Sequence, residues 1–205
     1  MKRGRLLKRS NMELLELFRN DIFLSKTIRQ IAMALNKPYP KVHQAVGELE
    51  MSNIIATKSV GRSKVCTLKW SNDAMSLLSF LDEQKALSMK IPNMDRILGF
   101  KELLDDIVVV TGSYARGKET KSSDIDLVVI TKENPAARQK LLENLTSLMS
   151  PPVHPVAISY KDFTGMLVDK EESYGKEIFR NRLIFRNAKR YYELIKEAVG
   201  NGFSG

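Results

Sequence analysis

The sequence predicts an α+β chain of two domains, and three observations carry that prediction. Residues 1–90 show three short amphipathic helical patterns followed by two strand patterns around a glycine. Residues 91–205 show short Val/Ile-rich runs alternating with helical spacing, as in a small mixed sheet covered by helices. The charge divides at the same place: 16 Lys/Arg against 8 Asp/Glu in residues 1–90, and 17 against 16 in residues 91–205. The whole chain of 205 residues carries +9, almost all of it in the first part. Cations concentrated in one domain are the electrostatic footprint of nucleic-acid binding.

Composition narrows the class further. Apolar content is ordinary for a globular protein, and no apolar run approaches the ~20 residues that a membrane helix needs. The start, Met1-Lys2-Arg3-Gly4-Arg5, is basic, but Leu6-Leu7 is too short for a secretory core, so no signal peptide is expected. Cys66 is the single cysteine, which excludes an internal disulfide and suits a small buried hydrophobe. A cytoplasmic protein is the resulting expectation. His43 and His154 are the only histidines and lie far apart, so no zinc-site spacing exists.

In chain order, Lys2, Arg3, Arg5, Lys8 and Arg9 form a basic arm. Asn11 is a candidate cap for a helix bearing Leu14, Leu17 and Phe18. Ser25 or Thr27 starts a second helix with Ile28, Ile31, Ala32 and Leu35 on one face. A third begins near Tyr39-Pro40, since proline suits a first turn, and repeats the stripe with Val42, Ala45, Val46 and Leu49. A strand from Asn53 to Ser59 turns at Gly61 and returns through Val65–Leu68. Helix, helix, helix and basic hairpin make a winged helix-turn-helix, whose third helix would enter the major groove of duplex DNA. Tyr39, Lys41 and Gln44 on that helix and Lys58, Arg62 and Lys64 on the wing are the candidate DNA contacts. Gln44 suits base reading and Lys41 a phosphate. A protein-interaction module is the alternative. Ser71-Asn72-Asp73 opens a fourth helix whose stripe, Ala74, Leu77, Leu78 and Leu81, serves core packing or a homodimer reading two half-sites. Lys90-Ile91-Pro92-Asn93 breaks the pattern and marks the domain boundary.

The second domain is organised around residues 107–130. Ile107-Val108-Val109-Val110 leads into Thr111-Gly112-Ser113, and ten residues later Asp124-Ile125-Asp126 opens Leu127-Val128-Val129-Ile130. Both apolar runs read as buried strands. Alternation puts Asp124 and Asp126 on one face, about 7 Å apart at a rise of ~3.3 Å per residue. Two such carboxylates can converge on a divalent cation, or on the ion pair of two-metal phosphoryl transfer. Gly112 allows a sharp turn and close approach of backbone to a ligand, and a helical turn from Ser113 would present free N–H groups to phosphate. Two solvated aspartates at a strand end are the alternative.

Helix patterns at residues 95–104, then from Asn134-Pro135 through Leu141, Leu142, Leu145, Leu148 and Met149, flank the signature. Val153–Ile158 reads as a third strand, which Pro155 puts at a sheet edge or at a strand end. Ser159 starts a helix through Phe163 and Leu167, Asp169–Glu172 a solvated helix start, and Leu183–Phe185 a short strand. The last helix shows Tyr191, Leu194, Ile195 and Ala198, with residues 200–205 expected to fray.

Gly112-Ser113, the ten-residue gap and Asp124-x-Asp126 resemble the nucleotidyltransferase signature of the DNA polymerase β superfamily. Ala115-Arg116-Gly117 and Ser123-Asp124 bring the resemblance closer to the minimal nucleotidyltransferases of archaea and bacteria, over residues 95 to about 200. The resemblance implies magnesium, one ion or two, on Asp124 and Asp126. It also implies a nucleoside triphosphate substrate held by Gly112 and Ser113, with Arg116 and Ser123 beside it. Active members usually add a third acidic residue on the third strand. This chain has His154 there, in Val153-His154-Pro155-Val156. Histidine titrates near neutrality and can serve as a general base, but magnesium prefers oxygen. The expected function is therefore metal-dependent transfer of a nucleoside monophosphate to an acceptor hydroxyl, coupled to DNA binding. The alternative is a transcriptional regulator, or an antitoxin-like protein facing a helical toxin-like partner, with a degenerate transferase domain that senses nucleotide or binds that partner.

Overall fold

The computed structural model describes residues 8–205. Lys2, Arg3 and Arg5 of the basic arm lie outside the described residues. The chain forms two compact units that meet in sequence between Leu81 and Asp82.

In the first unit, α1 (Arg9–Asn20), α2 (Ile28–Ala34) and α3 (Tyr39–Met51) accompany three strands, β1 (Lys26–Thr27), β2 (Ile55–Val60) and β3 (Ser63–Leu68). The strands form an antiparallel sheet in the order β1-β3-β2. Thr27 caps α2 in a reciprocal capping box with Gln30. Gly61, at φ +58°, makes the β2–β3 turn. Leu14, Phe18, Ile31, Val46, Leu49 and Ile55 form the core, which removes the predicted helical stripes from water. Asn11 is not a cap. Helix α1 starts earlier, after Lys8, and the buried Asn11 carboxamide donates from Nδ2 to Glu48 Oε2 of α3 at 3.0 Å. A tertiary partner has claimed the side chain that local rules assign to the helix end.

Helix α4 (Asn72–Ser88) is capped by Ser71, whose Oγ accepts from the Ala74 N–H at 3.1 Å. The stripe considered for a dimer face is largely buried within the protein. Ala74 and Leu81 join the first core, and Leu78 is fully buried, leaving Phe80 and Leu87 exposed. Those buried side chains are already spent on intramolecular packing.

The second unit is a four-stranded mixed sheet in the order β6-β5-β4-β7, from β4 (Ile107–Val110), β5 (Ile125–Thr131), β6 (Val153–Ser159) and β7 (Leu183–Arg186). β4 pairs antiparallel with both β5 and β7, while β5 and β6 are parallel. A parallel neighbour needs a crossover, supplied by α7 (Pro135–Thr146), which Asn134 caps by accepting from the Ala136 and Ala137 N–H groups. β6 is an edge strand, as Pro155 requires, and Gln139 of α7 covers it. Gln139 Nε2 donates to the Pro155 carbonyl at 2.8 Å, and Gln139 Oε1 accepts from the Ala157 N–H at 2.7 Å.

Four local expectations differ from the structure. The helix expected at residues 95–104 is two short pieces, α5 (Met94–Leu98) and a 3-10 turn at Lys101–Leu103, separated at Gly99. α7 stops at Thr146, so Leu148 is 91% exposed rather than packed. Asp169–Glu172 is a loop after α8 (Tyr160–Val168); α9 (Tyr174–Arg180) starts later, capped by Ser173, whose Oγ accepts from the Lys176 N–H. The chain end is held after α10 (Ala188–Gly200) by Phe203, which is buried edge-on against Phe179 with ring centres 5.0 Å apart. One aromatic anchor outweighs the polar, glycine-rich character of its neighbours.

Asp82 of α4 is buried in this unit, where the Tyr192 hydroxyl donates to its Oδ2 at 2.5 Å and Arg182 Nε lies 3.5 Å away. Among the described residues no helix is long and apolar enough to cross a membrane.

Candidate functional site

The site forms where β4 ends. All four residues of β4 are buried, so the polar chemistry begins only at Thr111, the first residue after it. The Thr111 N–H donates to the Asp126 carbonyl at 3.0 Å, and its hydroxyl donates to the Asn181 carbonyl at 2.7 Å. These two bonds fix the chain before it turns. Gly112 then adopts φ +68°, and a β-carbon on it would lie 1.8 Å from Asp126 Oδ2. Only glycine lets the Asp126 carboxylate rest against this backbone. Gly112–Ala115 forms a single helical turn, α6, whose first N–H groups have no acceptor within the helix.

Asp124 precedes β5 and Asp126 is its second residue, with the buried Ile125 between them pointing into the core. The parallel register of β5 and β6 sets His154 beside Asp126. His154 Nε2 lies 3.5 Å from Asp124 Oδ2, and its ring is 64% exposed. Gly112, Ser113, Asp124, Asp126 and His154 thus meet at one end of the sheet. Arg116, which caps the C-terminal end of the signature turn, contributes to the same electrostatic field. Ser123 braces the intervening loop, its Oγ accepting from the Thr120 N–H at 2.8 Å.

Burial is the main cause that raises the Asp126 carboxyl above the usual carboxylate range. His154 and Arg116 oppose that rise, while Asp124 and Glu177 add to it. Two of the groups around Asp126 carry no local signal in the sequence. Tyr174, at the start of α9, has its hydroxyl pushed up to about 12 by burial and then by the charges of Asp126 and Glu177. Glu177, one turn on, places Oε1 3.6 Å from Arg116 Nη1. Both lie some fifty residues beyond the signature, in a segment with no spacing cue, so only the fold identifies them.

The residues fit a divalent cation in part. Asp124 and Asp126 are hard oxygen donors close enough to act on one another electrostatically. Among the described residues, however, no cluster of three or more His, Cys, Asp or Glu side chains forms a complete metal site. An ion such as magnesium characteristically takes one or two carboxylates and completes its shell with phosphate and water oxygens.

In the first unit, Tyr39, Lys41 and Gln44 are exposed on α3, on the side away from Val42, Ala45 and Leu49. Tyr39 lies against His43, ring centres 5.8 Å apart, and Gln44 Nε2 donates to Glu48 Oε1 at 3.0 Å. Lys58, Arg62 and Lys64 are exposed along the β2–β3 hairpin.

Comparison with known proteins bears on the second unit. A family model described as "Nucleotidyltransferase domain" matches residues 91–186. The Methanocaldococcus jannaschii protein named "Putative protein adenylyltransferase MJ0141" is 31% identical over 77 residues, a span of 36% of this chain and 78% of that relative. No solved structure matches the chain. The glycine turn beneath a paired carboxylate is therefore found in a sequence that shares its pattern with this family across 91–186, and the chain belongs to the nucleotidyltransferases.

Proposed function

We propose that this protein transfers a nucleoside monophosphate from a nucleoside triphosphate to an acceptor hydroxyl, and that its first unit is a winged helix-turn-helix that binds duplex DNA. The observation that carries the transferase reading is the contact of Gly112 with Asp126. A backbone turn with free N–H groups lies directly against one of two same-face carboxylates. A polyphosphate approaching that turn meets two negative charges unless a cation is shared between them. Asp124 and Asp126 would hold magnesium, one ion or two, which when bound supplies charge neutralisation at the attacking and leaving oxygens.

Gly112 and Ser113 orient the phosphates through backbone N–H groups, and Arg116 adds a guanidinium to the same anion. The acceptor oxygen attacks the α-phosphorus in line, its new O–P bond forming as the bond to the β-phosphate bridge breaks and pyrophosphate leaves. The acceptor's proton needs a base. His154 lies 3.5 Å from Asp124 Oδ2 and is in register with Asp126, which supports assigning it that role. The name of the archaeal relative makes a protein side-chain hydroxyl the first acceptor to try. From the family resemblance, a helical toxin-like protein is the candidate partner carrying it.

The second reading is a regulator or antitoxin-like protein whose transferase domain binds nucleotide without turnover. It is favoured by one observation, the histidine in the third acidic position. Labelled ATP, magnesium and a candidate partner separate the two. Label on the partner, lost in His154→Ala by ~10²–10⁴-fold with nucleotide binding kept, supports transfer. Nucleotide binding without label under any partner supports the second reading. DNA binding is tested by mobility shift of the full chain across a salt series, where phosphate contacts demand a steep fall in affinity. Lys41→Ala should weaken binding to all sequences, and Gln44→Ala should blur one position. No shift even at low salt would sink the DNA-binding reading and leave the first unit as a protein-interaction module.

A further inference from the structure

Glu177 stands where a carboxylate is least expected, facing a site proposed to receive a polyanion. Its position is not accidental to a loose loop. α9 is capped by Ser173, whose hydroxyl also donates to the Met166 carbonyl at 2.6 Å. Gly175 lets α9 approach α8 so closely that a β-carbon there would lie 2.6 Å from Met166 Cβ. The far end of α9 is tied to the signature, since the Asn181 carbonyl accepts from the Thr111 hydroxyl. Glu177 is thus carried on an anchored helix to the guanidinium of Arg116.

The contact itself is a weak one. The separation is 3.6 Å, and the two side chains are 40% and 47% exposed. Guanidinium–carboxylate hydrogen bonds close at ~2.7–2.9 Å, and exposed pairs contribute little to stability. Structural bracing does not explain such a pair. Arg116 nevertheless lies close enough to Asp126 to oppose the rise of its carboxyl, and Glu177 is the carboxylate within reach of its guanidinium.

We propose that Glu177 is a positioning residue of the nucleotide site. It occupies the Arg116 guanidinium while the site is empty and yields it to the phosphates when a nucleoside triphosphate enters. A phosphate outcompetes it because the triphosphate carries several negative charges and offers a bidentate acceptor edge, while Glu177 offers one long contact. Glu177 therefore lowers nucleotide affinity by the strength of the pair that must be broken. This rests on the triphosphate reading of the site.

The test is calorimetric titration of the full chain, with magnesium, by ATP and separately by inorganic tripolyphosphate. Wild type, Glu177→Gln, Arg116→Ala and the double variant are compared. Glu177→Gln should bind both ligands about two- to fivefold more tightly, the range an exposed pair allows. In the Arg116→Ala background the same substitution should change nothing. Unaltered or weaker binding by Glu177→Gln, with its melting temperature kept, overturns the proposal, as does a gain that survives without Arg116. Binding of ATP by wild type with a silent Glu177→Gln defeats this inference alone. Failure of wild type to bind either ligand defeats the triphosphate reading and this inference with it.

Discussion

A β-carbon on Gly112 would sit 1.8 Å from Asp126 Oδ2, so the turn and the carboxylate occupy space that admits only a hydrogen between them. The glycine and the second aspartate of the signature are therefore one structural unit, although thirteen residues separate them. The turn sets where a phosphate can rest, and the carboxylate is close enough to share a cation with it.

Gly112→Ala should accordingly cost both stability and binding. The positive φ alone costs about 1–3 kcal/mol for a residue with a β-carbon, and Asp126 must also move. Gly117 provides the comparison, because it too has positive φ, +62°, but nothing lies within 4 Å of its would-be β-carbon. Gly117→Ala should lower the melting temperature yet keep magnesium-dependent nucleotide binding, whereas Gly112→Ala should lose it. Equal binding by the two variants would remove the steric argument.

Asp126→Asn should stabilise the cation-free protein. Burial, then Asp124 and Glu177, raise the folded-state carboxyl, so its ionised form opposes folding. For a carboxyl raised on folding, that cost is complete above the folded pKa and vanishes below the unfolded value of ~3.9. The variant should therefore melt about 1–3 °C higher at neutral pH, since partial exposure screens the charge, and the gap should close in acid. Magnesium should raise the melting temperature of wild type and leave the variant unmoved. A variant less stable than wild type at pH 7 without cation would contradict the electrostatic account.

Gln139→Ala should uncover an edge. The carboxamide bonds both the Pro155 carbonyl and the Ala157 N–H, as a neighbouring strand would. Its loss leaves two backbone groups of β6 unpaired, costing about 1–3 kcal/mol where they stay dry. It also opens a template for strand addition between molecules, so light scattering should show concentration-dependent association absent from wild type. A monodisperse variant with unchanged melting would show that α7 covers the edge without this side chain.

Most of the elements and the whole signature are legible along the chain, whereas β1 and the split at Gly99 are not. Apolar spacing located the strands around the signature, the stripes of α2, α3 and α10, and the capping of α7 and α8, because burial and end-satisfaction are written in local periodicity. Pro155 points to an edge or a strand end for an equally local reason, since it has no N–H to give a second neighbour, and the sheet order selects the edge. Gly112, Ser113, Asp124 and Asp126 were legible because their ten-residue spacing lies within one strand–turn–strand unit.

Tertiary structure decided what those local signals left open. Asn11 reads as a cap until Glu48, from another helix, takes its amide. The stripe of α4 reads as core packing or a dimer face, and Ala74 and Leu81 enter the first core. Phe203 reads as part of a frayed end until Phe179 supplies its partner. Above all, Tyr174 and Glu177 become part of the site only because α9 is anchored back to Thr111. Electrostatics acts through space, and the residues that set the charge around Asp126 need share nothing with it along the chain.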